Sequence, residues 1–279
     1  MLGASRTSLA QARARLTGLG STGPGGGSAA DLGALSEDLF GVVGLLGREL
    51  PLRRTLADPF VPPQAKTALL EGLLGARITP ASLSFLSELV TSRWSRPRDL
   101  TEAIETLAAL AAFAEALADG TLDDVEDELF RFGRIVEREA ALRDTLADPA
   151  QTEAGKRSLL AALLDGKVRP VSLRVITAAA VSGLRGRSLT EALDAFAKLA
   201  ADLRERLNAR VTAAVPLDEA QTARLADELS RLYGKAIGVR LEVDPSILGG
   251  LVIRVGDEVL DASITRRLDI ARRGLTEHL

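Results

Sequence analysis

The chain contains no cysteine, one histidine, one tryptophan and one tyrosine, and aromatic residues make up only 3% of its 279 positions. Without cysteine there are no disulfides, no thiol nucleophile and no thiolate metal site, which suits a reducing compartment. The lone histidine, His278, is the penultimate residue. A nucleophile–histidine–acid triad or an imidazole metal cluster would therefore have to be built on a fraying terminus. So few aromatics leave little material for stacking bases. Charge of one sign is lacking too: 35 basic and 38 acidic side chains nearly cancel, for a net charge of -3, so no strong field draws the chain to phosphate backbones or anionic lipid. Long apolar runs are also missing. The best candidate, "TLAALAAFAEALA" at 106–118, is Ala-rich and carries Glu115, well short of a membrane span. The N-terminal "MLGASRTSLAQARARL" has no apolar signal core and reads as an amphipathic helix. These absences predict a soluble chain with no nucleic-acid partner, and no catalytic, cofactor-binding or metal-ligating residue is assigned.

What the chain does have is apolar material, 46% of its residues, enough for a real core and for two or three domains. It also has an internal duplication. At an offset of ninety residues, 37–83 falls on 127–173 without a gap: Leu39-Phe40 over Leu129-Phe130, "TLADP" at 55–59 over "TLADP" at 145–149, Lys66 over Lys156, Leu69-Leu70 over Leu159-Leu160, Pro80 over Pro170. One deletion later, "DLTEA" at 99–103 falls on "SLTEA" at 188–192. The unit is much longer than common helical-pair repeats of about 34 residues, so each copy is expected to be a small bundle.

Punctuation makes the unit helical. Leu69, Leu70, Leu73 and Leu74 recur at the three-and-four spacing of one helix face. Asp58-Pro59 and Asp148-Pro149 cannot continue a helix, because proline lacks the amide hydrogen and pushes its predecessor out of the helical region. "TLADP" is thus a stop and turn; the rival reading makes Asp58 and Asp148 paired catalytic carboxylates. Thr79-Pro80 reads as a helix start, and Asp99 to Glu102 and Ser188 to Glu191 have capping-box spacing. About four helices per copy, joined by short loops, predict antiparallel bundles. Lys66 and Lys156 are expected on solvated helix faces or as partner contacts. "STGPGGGSAA" at 21–30 reads as a flexible linker, since no strand leads into it and no Gly-Lys-Ser/Thr follows.

After residue 210 the period changes. "VTAAVPL" at 211–217 is extended, Asp218 caps a helix with Gln221, and "AIGVRLEVDP" alternates at period two. Then 251–255 and 259–261 form a hairpin about Gly256-Asp257, and Ser263 caps a closing basic helix. The expected fold class is mainly α with a small α+β module: two related helical bundles, then strand-helix-strand-strand-helix with a three-stranded sheet. The expected domains are 1–119, an N-terminal bundle including 21–30; 120–210, the duplicate with a connecting helix; and 211–279, the α+β module.

"VTAAVPL" before a capped helix, "VDPSILGGLVIRVGDEVLDASI" and the closing helix with Arg266-Arg267-Leu268, in this order, resemble the C-terminal region of the delta subunit of F-type ATP synthases, called OSCP in mitochondria. The "LADP" turn, the Lys-containing helix and the Leu-Leu-Gly resemble that family's helical domain. The family usually has one helical bundle where this chain has two, as in the longer delta forms of actinobacteria. The resemblance implies a non-catalytic connector of the peripheral stalk, on the cytoplasmic face of the bacterial plasma membrane. Its bundle would take the N-terminal helices of the alpha subunits, and its C-terminal region would hold the stalk b subunits against rotor torque. The interface candidates it implies are Asp148, Pro149, Lys156, Asp244, Pro245, Gly249, Gly250, Gly256, Asp261, Ser263 and Arg266. Two alternatives stay open: a generic helical scaffold or adaptor, and an enzyme with a carboxylate-lined pocket between bundle and sheet.

Overall fold

The structure, a computed structural model, describes residues 1, 3–19, 28–148, 150–182, 187–206, 208–233, 237–244, 249–255 and 258–261. It divides into two compact units, Met1–Ala200 and Ala201–Leu279. In the first lie α1 (Gly3–Leu19), α2 (Ala29–Arg48), α3 (Leu50–Ala57), α4 (Pro63–Leu74) and α5 (Pro80–Thr91). These are followed by α6 (Pro97–Ala118), α7 (Leu122–Arg138), α8 (Ala140–Ala147), α9 (Glu153–Leu164), α10 (Pro170–Ser182) and α11 (Leu189–Arg206), which runs past the division between the units.

The duplication is visible in the helices themselves. The bounds of α3 and α4 recur ninety residues later as those of α8 and α9, and α5 and α10 open on the matched Pro80 and Pro170. By order, α6 follows α5 as α11 follows α10, yet it also precedes α7 as α1 precedes α2. One helix thus closes the first copy and opens the second. That double duty explains its composition: Leu100, Ala103, Ile104, Leu107, Ala108, Ala111, Ala112 and Phe113 are all inaccessible to solvent, and α1, α2, α3, α5, α7 and α10 all pack against it. A helix that is apolar on most sides is a core helix. The Ala-rich run at 106–118 lies on the axis of the first unit, and no described helix is long and apolar enough to cross a membrane. The expected division between residues 119 and 120 falls between α6 and α7, within this unit.

The turns follow the expected chemistry. Asp58 is extended (φ -69°, ψ 120°) at the end of α3, and its Oδ1 accepts the Phe60 N–H at 2.9 Å. Asp148 Oδ1 accepts the Ala150 N–H at 2.8 Å, so each copy carries the same Asx turn; Pro149 lies outside the described residues. Thr79 Oγ1 accepts the Ser82 N–H and caps α5. At α11 the Glu191 N–H donates to Ser188 Oγ and the Ser188 N–H to a Glu191 carboxylate oxygen, the reciprocal capping box expected there. The same spacing at Asp99 fails. There α6 starts two residues earlier, at Pro97, with Arg96 as its cap. Asp99 is instead buried and accepts the Ser5 hydroxyl at 2.7 Å, a contact ninety-four residues away that no local spacing encodes.

In the second unit β1 (Asn208–Ala213), α12 (Glu219–Tyr233), β2 (Gly238–Val243), β3 (Leu251–Val255) and β4 (Glu258–Asp261) form a mixed sheet in the order β2-β1-β3-β4. Among the described residues the strands number four where three were expected, because β2 and β3 pair on opposite sides of β1 and β4 adds an edge. Parallel pairing of β1 with β2 needs a crossover, which α12 supplies. Asp218 and Gln221 cap it reciprocally, at 2.7 and 3.0 Å. Leu225, Leu229 and Tyr233 of this helix pack on Ala209, Val211, Ile253 and Val255. The closing basic helix expected after Asp261 lies outside the described residues.

Gly33 of α2 lies against the end of the Glu115 side chain on α6: a Cβ there would stand 2.8 Å from Glu115 Oε1. Gly33→Val is expected to push that flexible carboxylate off Arg174 and to destabilise the chain by about 1 kcal/mol or less, read as a slightly lower urea midpoint. Gly41→Val on the same helix, where nothing lies within 4 Å, controls for backbone propensity and should leave the midpoint nearly unchanged.

Candidate functional site

The interface candidates fall into two groups, one in each unit. Asp244, Gly249, Gly250 and Asp261 gather at one end of the sheet: the Asp244 N–H donates to the Ala213 carbonyl at 2.9 Å, Ala213 pairs with Leu251, and Asp261 pairs with Val252. Gly249 (φ 143°) and Gly250 (φ 84°) take the chain into β3 through backbone angles that L side chains rarely adopt. The Gly-Gly pair is therefore a requirement of the turn. Pro245, Gly256, Ser263 and Arg266 lie outside the described residues, as do residues 21–27 of the Gly-rich stretch.

The other group is Asp148 and Lys156, with their counterparts Asp58 and Lys66. Both lysines are buried, Lys66 at 4% and Lys156 at 7% exposure, which overturns the expectation of solvated faces. Lys66 Nζ donates to the Val90 carbonyl at 3.0 Å, near the end of α5, so the ammonium satisfies a last-turn carbonyl at the negative pole of that helix. A signal was available: Lys66, Leu70 and Leu74, like Lys156, Leu160 and Leu164, stand four apart on one buried stripe. Burial pushes the Lys66 ammonium below its ordinary pKa, with the Asp58 carboxylate opposing part of the shift. Asp58 and Lys66 are thus structural members of a turn and a helix end.

Two concavities border the helices. One, at the start of α7, is lined by Asp124, Asp127, Glu128, Arg131, Lys167 and Arg169. Its charges are spent internally, since Arg169 pairs with Asp124 and its backbone N–H donates to Glu128. The other is a groove of about 330 Å³ between α1 and α5. Ala12, Phe85 and Leu89 form its buried floor. Gln11, Arg15, Glu88 and Ser92 form its rim, with an ion pair between Arg15 and Glu88 across the mouth. The groove is held open by polar anchors: Ser8 Oγ donates to the Arg93 carbonyl, and Ser5 Oγ accepts the Ser95 N–H while donating to Asp99. These two α1 serines are buried, and sequence reading passed over them because isolated serines on a helix carry no spacing signal. An apolar floor between two helices with a charged rim is the surface into which an amphipathic helix lays its apolar face.

The chain matches the family described as ATP synthase delta (OSCP) subunit over residues 104–275. It is similar along nearly its whole length to proteins named ATP synthase subunit delta, 45% identical over 98% of this chain and 98% of the Streptomyces griseus protein. The relative from Frankia casuarinae is 45% identical over 99% of each chain. The chain belongs to the ATP synthase delta (OSCP) family. The family match begins within α6 and covers the second copy and the sheet module, whereas the full-length delta relatives cover both copies. A chain of the Toxoplasma gondii mitochondrial ATP synthase hexamer is similar at 20% identity over 62% of this delta chain and 97% of that one, with a TM-score of 0.31, too low to bear on the fold.

A buried amine with a lowered pKa gives the delta chain a pH signature. The folded state releases the Lys66 proton at lower pH than the unfolded state does, so its contribution to stability rises with pH and is complete only above the unfolded value near 10.5. The stability difference between the unaltered chain and Lys66→Met, measured by urea denaturation at several pH values, should shift in favour of the unaltered chain as pH climbs toward 10.5. A flat difference would place the amine in solvent.

Proposed function

We propose that the chain is a non-catalytic connector of the peripheral stalk, joining the catalytic head to the stalk b subunits and resisting rotor torque. The observation that carries this reading is the near-complete, full-length similarity to proteins named ATP synthase subunit delta. A groove of suitable chemistry supports a head contact: between α1 and α5 an apolar floor of Ala12, Phe85 and Leu89 lies under a polar rim, which suits one amphipathic helix of the kind expected of an alpha-subunit N-terminal segment. A restraint under torque needs a rigid body on that side. The helices packed against α6, namely α1, α2, α3, α5, α7 and α10, with its fully buried Leu, Ile and Phe positions, supply one at roughly 1.5–3 kcal/mol per large buried apolar side chain. The sheet end carrying Asp244, Gly249, Gly250 and Asp261 is the proposed contact for the stalk b subunits, on the inner side of the plasma membrane.

The reading is tested with a labelled peptide, the first twenty or so residues of the same genome's ATP synthase alpha subunit, titrated into the full-length chain. Saturable binding that is lost in Gln11→Trp, at an exposed rim position, with thermal melting unchanged, is the expected outcome. A folded chain that ignores the peptide would remove the head contact and leave a helical scaffold with a different partner.

A further inference from the structure

The two copies do not present the same face. In the aligned register α5 corresponds to α10, so Phe85 and Glu88 at the first groove correspond to Val175 and Ala178. The Glu88 side chain is 45% exposed and its counterpart Ala178 is 6% exposed, while the apolar positions are buried alike in both copies, Phe85, Leu86, Leu89 and Val90 in the first and Val175, Ile176, Ala179 and Ala180 in the second. On α6, which takes the place of α1, Thr101 and Glu105 are buried where Gln11 and Arg15 of α1 are exposed. The second copy's counterpart of the groove is therefore covered.

The cover is α2. It lies along α6 and touches α10. Gly33 of α2 rests on the Glu115 carboxylate of α6, and that carboxylate takes Arg174 of α10 at 2.5 Å, so the glycine sits over the junction of the two helices. Further along, Phe40 of α2 meets Phe196 of α11 edge to face at 6.2 Å. A helix serving two copies needs a wide apolar surface, and α2 has one: Leu32, Leu35, Leu39 and Leu46 on one side, Gly33, Ser36, Phe40 and Val43 on the next, all buried. Its counterpart α7 buries one stripe, Leu122, Val125, Leu129, Phe132 and Val136. The residue matching Phe40, Phe130, is 63% exposed. At that position the sequence repeats but the environment does not, because a third copy would be needed to cover it.

We propose that α2 is an internal occupant: in the second copy it fills the face that the first copy leaves open between α1 and α5, so the duplicated chain offers a partner helix one groove and not two. The copy that matches the family is then the closed one, and docking belongs to the copy outside that match. The occupant of the open groove is a helix with α2's character, apolar on two adjacent faces and small where the helices cross. A second copy of this chain cannot donate it, since its own α2 is already buried. This inference rests on the docking reading given above.

Isothermal calorimetry with a synthetic peptide of residues 29–48, titrated into the full-length chain, tests it. One peptide per chain is expected, weakened about tenfold or more by Arg15→Glu, an exposed rim change that leaves the floor intact. Arg15→Glu should leave the circular dichroism spectrum unchanged, so the comparison is read on a folded chain. Two sites in the unaltered chain, a site unaffected by Arg15→Glu, or no binding would each overturn the proposal. Binding of the 29–48 peptide without the alpha-subunit peptide would sink the head contact alone; the reverse result would sink the internal occupant alone.

Discussion

The burial of α6 is the constraint on which the rest of the first unit depends. A helix shared by two copies must accept neighbours on most of its sides, and close approach there requires small side chains interleaved with large ones. Ala103, Ala108, Ala111 and Ala112 provide the small positions, and Leu100, Ile104, Leu107 and Phe113 the large ones, all without solvent access. The one charged residue near its C-terminal end with a structural partner at this junction is Glu115, which ties α6 to Arg174 of α10 beneath Gly33 of α2. That acid is only part-buried, and it is paired and hydrogen-bonded.

From this arrangement comes the asymmetry between two copies of similar sequence. Duplication in tandem gives each unit a face toward its neighbour and leaves terminal units with a face toward nothing. Here α2 of the first copy lies against α6 and α10, and the outward face of the first copy carries the α1–α5 groove. The exposed Phe130 and the buried Phe40 are the same residue at the same point of the repeat, separated only by whether a neighbour exists.

Much of the fold was legible from local chemistry. The Asp-Pro turns, the threonine before Pro80, and the boxes at Ser188 and Asp218 all depend on groups within a few residues of one another, and each stands where its spacing put it. The stripe of Leu70 and Leu74 was legible for the same reason, and Lys66 on that stripe could have been. What misled was the habit of assigning charge to solvent: the Lys66 ammonium finds the Val90 carbonyl only after α4 and α5 have packed. Asp99 shows the complementary failure, since a capping pattern was outcompeted by a serine hydroxyl from α1.

The sequence by itself determined the helical period, the turns, the duplication, the change of period after residue 210 and the family, because each is written in neighbouring residues or in a run of them. Only the tertiary structure decided that one helix serves both copies, that α2 lies against α6 and α10, and that β2 and β3 flank β1. Those outcomes depend on which surfaces remain uncovered once all helices and strands compete for the same apolar partners, and burial is a property of the assembled set and not of any segment.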